Sequence, residues 1–179
     1  ALFKLAFATG MRRSELLGLR WSDIYFKNST ISISQTALKI GSTAVISNTT
    51  KTTSSKRIIA IDTETLQELM KHKTVIDKRR IKTMNWINNN LVFPGIKGAP
   101  RCPDEVSKLC KKYANLIGKP SFTMHGTRHT HATLLIENGA NMKAIQERLG
   151  HASFQETMDT YSHVTPKMED DIVERISKI

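Results

Sequence analysis

Apolar residues fall first at helical spacing, then in alternation, then at helical spacing again. Leu2, Phe3, Leu5, Ala6 and Phe7 fill the buried side of an opening helix that Gly10 ends. Residues 12–17 make a short second helix, with Gly18 suited to its C-terminal cap. From Trp21 the period moves towards two. Ile31 and Ile33 alternate with serines, residues 44–47 give a weaker strand, and Ile58, Ile59 and Ile61 mark a third. Together these runs predict a small three-stranded antiparallel sheet.

Helical spacing returns over residues 64–80, capped by Asp62 or Thr63, with Leu66, Leu69, Met70 and Ile76 on the apolar side. A polar turn over 85–90 leads to a short extended piece, 91–93, stopped by Pro94 and Gly95. Pro103 suits the first turn of a helix reaching about residue 117 and ended by Gly118. Further helices are expected over 125–138, from Asn141 to 149, over 154–161, and from Pro166 onward. The fold class is α+β, mainly α: a helical core with the small sheet packed beside it, in a single domain over 1–179.

The helix from His125 breaks its own pattern. Its core-facing steps read His125, Arg128, His129 and Ala132, then Leu135 and Ile136. Burying an arginine and two histidines unpaired would cost several kcal/mol or so. An anion is therefore expected against the first turn, where unpaired N–H groups and the partial positive charge of the helix suit a phosphate. Composition agrees: 27 Lys and Arg against 16 Asp and Glu leave a net charge of +11, which fits a polyanion, most commonly nucleic acid. Residues 71–82, with Lys71, Lys73, Lys78, Arg79 and Arg80, and residues 97–112 are candidate faces for a nucleic-acid backbone.

Other chemistries fit less well. HGTRHTH places His125 and His129 four apart, but HExxH is absent, no cysteine is near, and Arg128 between them opposes a dication. No acidic cluster stands beside the basic box for a two-metal nuclease. No metal or cofactor is expected. Cys102 and Cys110 read as free thiols in a reducing compartment. No apolar run approaches the ~18 residues of a membrane span, and no signal peptide is visible.

HxxRH at 125–129, LGH at 149–151 and Tyr161 ten residues after His151 resemble the C-terminal box of the tyrosine recombinases, most of all the integrases of phages and conjugative transposons. ATGMRRSEL, residues 8–16, resembles the first arginine box of that family, and the likeness covers nearly the whole chain, 8–164. The resemblance implies an enzyme that cuts and rejoins DNA at specific sites, without ATP or metal, through a 3′-phosphotyrosyl intermediate. It implies Tyr161 as nucleophile and Arg12 and Arg128 as the phosphate clamp; it selects Arg12 over Arg13, which chemistry alone does not. His125 and His151 would donate to the phosphate, and His125 would also take the tyrosine's proton. Lys51, in the TKT of a Ser/Thr-rich loop, would be the general acid, with Lys56 as its rival.

Glu15 is given a supporting role, orienting Arg12 or the signature histidine, with a surface ion pair as the alternative. His129 is expected to brace the pocket from behind and His131 to be structural; His163 is unassigned. The resemblance further implies double-stranded DNA attachment sites as partner, a homotetramer on DNA, and accessory excision or host factors. Upstream arm-binding and core-binding domains, and a setting in the bacterial cytoplasm at the nucleoid, are expected with it. The tail 166–179 carries an apolar stripe of Met168, Ile172, Ile176 and Ile179, which would pack on a neighbouring protomer or in cis. The rivals are a strand-passing enzyme of the type IB topoisomerase kind and a catalytically silent DNA-binding module.

Overall fold

The computed structural model describes residues 1–47 and 56–151, together with Ser153, Gln155 and Met158. Helix α1 (Leu2–Thr9) buries Leu5, Ala6 and Thr9 and ends at Gly10, whose φ of 64° is a left-handed conformation that costs glycine nothing. Phe7 stays half-exposed, stacked on Phe122. Helix α2 (Arg13–Gly18) and a single 3-10 turn (Trp21–Asp23) lead into the strands.

The three-stranded sheet is antiparallel, in the order β1 (Ile24–Tyr25), β2 (Thr30–Ile33), β5 (Arg57–Ala60), with Ile31 opposite both Ile24 and Ile59. Its membership differs from the expectation. Residues 44–47 do form a strand, but β4 (Thr43–Ser47) pairs with β3 (Thr36–Ile40) in a separate hairpin. Leu38 and Ile40 of β3 are exposed, so this strand lacks the in–out alternation that marks a half-buried one.

Helix α3 (Thr63–Lys82) is capped by Asp62, which accepts from Thr65 N at 2.7 Å. It buries Thr65, Leu69 and Ile76, whereas Met70, expected on the same side, is half-exposed. Residues 91–93 are tied to the end of α2 by Val92 N donating to Leu19 O at 2.8 Å. Helices α4 (Pro103–Leu116), α5 (Met124–Glu137) and α6 (Met142–Leu149) follow. The main core gathers Leu5, Leu17, Ile31, Ile59, Leu69 and Val106; a smaller one of Ala132, Ile136, Ile145 and Leu149 joins α5 to α6. Among the described residues no helix is long and apolar enough to cross a membrane. The helix expected over 154–161 (apart from Gln155 and Met158) and the tail 166–179 lie outside the described residues.

Gly18 is the last residue of α2 rather than a left-handed cap. A Cβ there would come within 2.8 Å of Thr36 Cα and 2.9 Å of Gln35 O, so the glycine lets α2 lie backbone-to-backbone on β3. In an open helix, glycine to alanine stabilises by up to about 1 kcal/mol. Here we expect the opposite sign: Gly18→Ala should destabilise by roughly 1–3 kcal/mol through overpacking, read as a lower urea midpoint at unchanged slope.

Candidate active site

Arginines from two elements meet over one carboxylate. Arg12 stands at the N-cap of α2 in extended conformation. Its backbone N–H donates to Glu15 Oε2 at 2.8 Å, the glutamate half of a capping box. Its Nη1 donates to Glu15 Oε1 at 3.2 Å and its Nη2 to Gly150 O at 3.0 Å. Arg57, the first residue of β5, donates from Nη1 to Glu15 Oε1 at 3.0 Å and from Nη2 to Oε2 at 2.9 Å, while its Nε donates to Arg148 O at 2.7 Å. Arg148 O and Gly150 O lie where α6 runs out of intrahelical donors, and two guanidinium groups satisfy them.

Glu15 is only 2 % exposed. Burial alone would raise its pKa, but the hydrogen bonds and charge of Arg57, with the backbone N–H and charge of Arg12, outweigh it and hold the carboxyl below its usual 4.5. The surface-ion-pair alternative is therefore corrected: Glu15 is buried, and Arg57 is a second partner that the sequence reading did not anticipate.

Arg128 lies on the buried side of α5 and donates from Nη1 to Gly10 O at 2.9 Å. A Cβ at Gly10 would fall 2.6 Å from Leu149 Cδ2 and 2.7 Å from His131 Cδ2, so the glycine also permits the close meeting of α1, α5 and α6. His131 sits behind this junction. Its Nδ1 pairs with Phe7 O at 2.8 Å, and its Nε2 accepts from Arg148 Nε at 3.0 Å, an arrangement that fits the neutral ring protonated on Nδ1. Burial, then the charge of Arg148, lower its pKa to about 4.

The buried stripe of α5 is thus Met124, Thr127, Arg128, His131, Ala132 and Ile136. His125 and His129 lie on its exposed edge, their rings edge-to-face at 4.5 Å. The place behind the pocket expected for His129 is held by His131, and His129 packs on His125 at the rim. A period of 3.6 admits both stripes through Arg128; the close approach of Gly10 and Leu149 to His131 decides between them.

Arg12, His125 and Arg128 line a single cleft of about 400 Å3, together with Met11, Arg13, Ser14, Ser107, Thr123 and Met124. His151 follows the left-handed Gly150; burial, then the charges of Arg128, Arg12, Arg57 and His125, lower its pKa to about 4. The pKa of His125 is also lowered, by partial desolvation against the cleft wall and then by His129, Arg128 and Arg12. Both rings are therefore neutral at pH 7, able to donate one N–H and accept at the other nitrogen. Lys51 and Tyr161 lie outside the described residues; Lys56, the rival acid, is exposed next to Arg57. Among the described residues no group of three or more His, Cys, Asp or Glu could hold a metal. Two fixed, permanently charged guanidinium groups in one cleft suit a tetrahedral oxyanion.

A family model described as the phage integrase family matches residues 1–168. A tyrosine recombinase XerC-like protein of Caldanaerobacter subterraneus subsp. tengcongensis is 31% identical, over 100% of this chain and 49% of its own length. The ICEBs1 integrase of Bacillus subtilis is 27% identical, over 99% of this chain and 48% of its own. Among solved structures, the Tn1549 transposon integrase in complex with transposon right end DNA superposes with a TM-score of 0.76 at 30% identity, covering 98% of this chain and 57% of that one. The chain spans about half the length of the curated relatives it matches.

Two outcomes follow from the geometry. Removing Arg57 leaves a buried carboxylate with one guanidinium fewer and Arg148 O without that donor, so Arg57→Ala should lower unfolding free energy by about 3–5 kcal/mol. His131 has a folded pKa near 4 against 6.5 when unfolded, so the unfolded chain takes up its proton first as pH falls. Its contribution, on the order of 3 kcal/mol, is whole above pH 6.5 and is lost as pH drops through 4. Urea midpoints measured between pH 7.5 and 4.5 should decline, and His131→Gln should flatten that decline.

Proposed function

The chain belongs to the phage integrase family, and from that premise we propose that it is the catalytic domain of a site-specific DNA recombinase. It would cut and rejoin DNA through a 3′-phosphotyrosyl intermediate, in the integration and excision of a mobile element. The observation that carries this reading is the shared cleft: Arg12 and Arg128, far apart in sequence, open onto one cavity, and each is pinned by a backbone carbonyl.

A backbone phosphate of double-stranded DNA enters that cleft. Arg12 and Arg128 face its non-bridging oxygens and offset the charge that gathers there as phosphorus becomes pentacoordinate. His151 donates an N–H to the same oxygens. The phenol oxygen of Tyr161 attacks phosphorus and its proton passes to neutral His125. The bond from phosphorus to the 5′ oxygen breaks, and Lys51 protonates the departing oxygen. Rejoining runs the same steps backwards: the 5′ hydroxyl attacks, its proton returns to Lys51, and Tyr161 leaves. Bond energy is kept in the tyrosyl ester, so no nucleotide is consumed.

The names of the relatives support a recombinase over a type IB topoisomerase, and the DNA-bound integrase of similar fold supports duplex DNA as partner. Assembly as a tetramer, exchange of the tail 166–179 between protomers, upstream arm-binding and core-binding domains, accessory factors and a place at the bacterial nucleoid belong to the same reading.

A suicide duplex nicked beside the cut position, built on the element's attachment sequence, tests it. The chain should form a covalent protein–DNA adduct resistant to denaturation. Tyr161→Phe should abolish the adduct while leaving DNA binding intact, and Arg12→Ala should slow its formation by about 10²–10³-fold. Binding with no adduct from any such substrate would identify the silent module instead.

A further inference from the structure

The cleft is larger than the phosphate that Arg12 and Arg128 would hold. Its volume of about 400 Å3 falls in the range of pockets for whole small ligands, roughly 300–1,000 Å3. The cation that lines its remaining part is Arg13, the residue that chemistry alone did not separate from Arg12. We propose that Arg13 and Ser107 form a second subsite in this cleft, which holds the phosphodiester adjacent to the cleaved one on the same strand. The inference rests on the recombinase reading above.

Neighbouring residues have Cα atoms about 3.8 Å apart, yet these two side chains diverge. Arg12 turns towards Glu15 and the end of α6, whereas Arg13 reaches α4 and hydrogen-bonds Ser107 Oγ. Consecutive phosphates on a DNA strand are set apart by the ~3.4 Å axial rise and further by the winding of the strand, so side chains of consecutive residues must diverge to face two of them.

The charge balance separates the two arginines as well. Arg12 shares its charge with buried Glu15. Among the described residues no carboxylate lies within 4.0 Å of Arg13: of the two acids at the start of α4, Asp104 is paired with Lys39 at 2.6 Å and feels Arg13 only as a weaker, more distant charge, and Glu105 is paired with Arg101. The positive charge of Arg13 therefore remains available to an anion. Ser107 complements it: its oxygen accepts from Arg13, which leaves its own O–H to donate to a phosphate oxygen. Beyond Ser107, exposed Lys108, Lys111 and Lys112 continue the cationic surface along α4, the direction in which the strand would leave.

Phosphate contacts carry no base information, so a short duplex of arbitrary sequence is a sufficient probe. Affinity is measured against salt for the unaltered chain and for Arg12→Gln, Arg13→Gln, Arg13→Lys and Ser107→Ala, with thermal unfolding recorded for each. Arg13→Gln should flatten the slope of log affinity against log salt by about 0.9, and Arg12→Gln should do the same, each losing one phosphate contact. Arg13→Lys should keep the slope. Ser107→Ala should weaken binding about tenfold with the slope retained. An unchanged slope in Arg13→Gln beside a flattened one in Arg12→Gln would overturn the second subsite and leave the recombinase reading standing. Equal loss in Arg13→Lys and Arg13→Gln would show a packing role and overturn it too. Unchanged slopes in both Arg12→Gln and Arg13→Gln would remove DNA from the cleft and take both readings down.

Discussion

A carboxylate held between two guanidinium groups sets the geometry of the pocket. Glu15 is almost wholly buried, and a lone carboxylate in such a place would be neutral or would unfold its surroundings. It stays charged because Arg57 grips both of its oxygens and Arg12 binds it from backbone and side chain together. Such a cluster adds little net stability compared with an apolar core of equal volume. Its effect is on position. The three charges are satisfied only when α2, β5 and the end of α6 stand in one relation, and that relation places Arg12 beside the cleft.

The same device recurs around α1. The carbonyls of Phe7, Ala8 and Gly10, at or beyond its C-terminal end, accept from His131, Arg148 and Arg128. Those of Arg148 and Gly150, at the end of α6, accept from Arg57 and Arg12. Two helix C-termini, each with unpaired acceptors and partial negative charge, are capped largely by cations from other elements. Arg148 takes part twice, as a donor to α1 through its side chain and as an acceptor from Arg57 through its backbone. The cationic groups facing the cleft are thus anchored on carbonyls as well as on Glu15. Desolvation first, and then the charge of these cations, lowers the pKa of His125 and of His151.

Much of this was legible in residue order. Helix limits were readable because Asp62, Pro103, Asn141 and Gly10 act locally on the adjoining turn. Strand partners were not, since two-residue β1 has no period to detect and the β3–β4 hairpin is too exposed to alternate. Arg12, His125 and Arg128 were found by motif, and they do share a cleft. Arg57 and Arg148 carried no signal of their own: in sequence they are one more cation in a Ser/Thr-rich loop and one more in the last turn of a helix. Their significance comes from partners that lie 42 and 140 positions away. His131 was judged structural, but the expected inward stripe ran through His125 and His129; only the contact of His131 with Gly10 and Leu149 shows which stripe is inward.

Sequence distance also governs when the pocket can exist. The bond from Arg12 to the carbonyl of Gly150 spans 138 positions, and that from Arg57 to Arg148 spans 91. On the ribosome Arg12 is made before α6 and waits for it. Until α6 is made, Glu15 and its arginines have no floor to close on, whatever local helices have already formed. The cluster of Arg12, Glu15 and Arg57 is therefore among the last features of the described chain to mature, and a nascent or prematurely terminated product lacking α6 would carry most of the motif residues without the means to hold them in register.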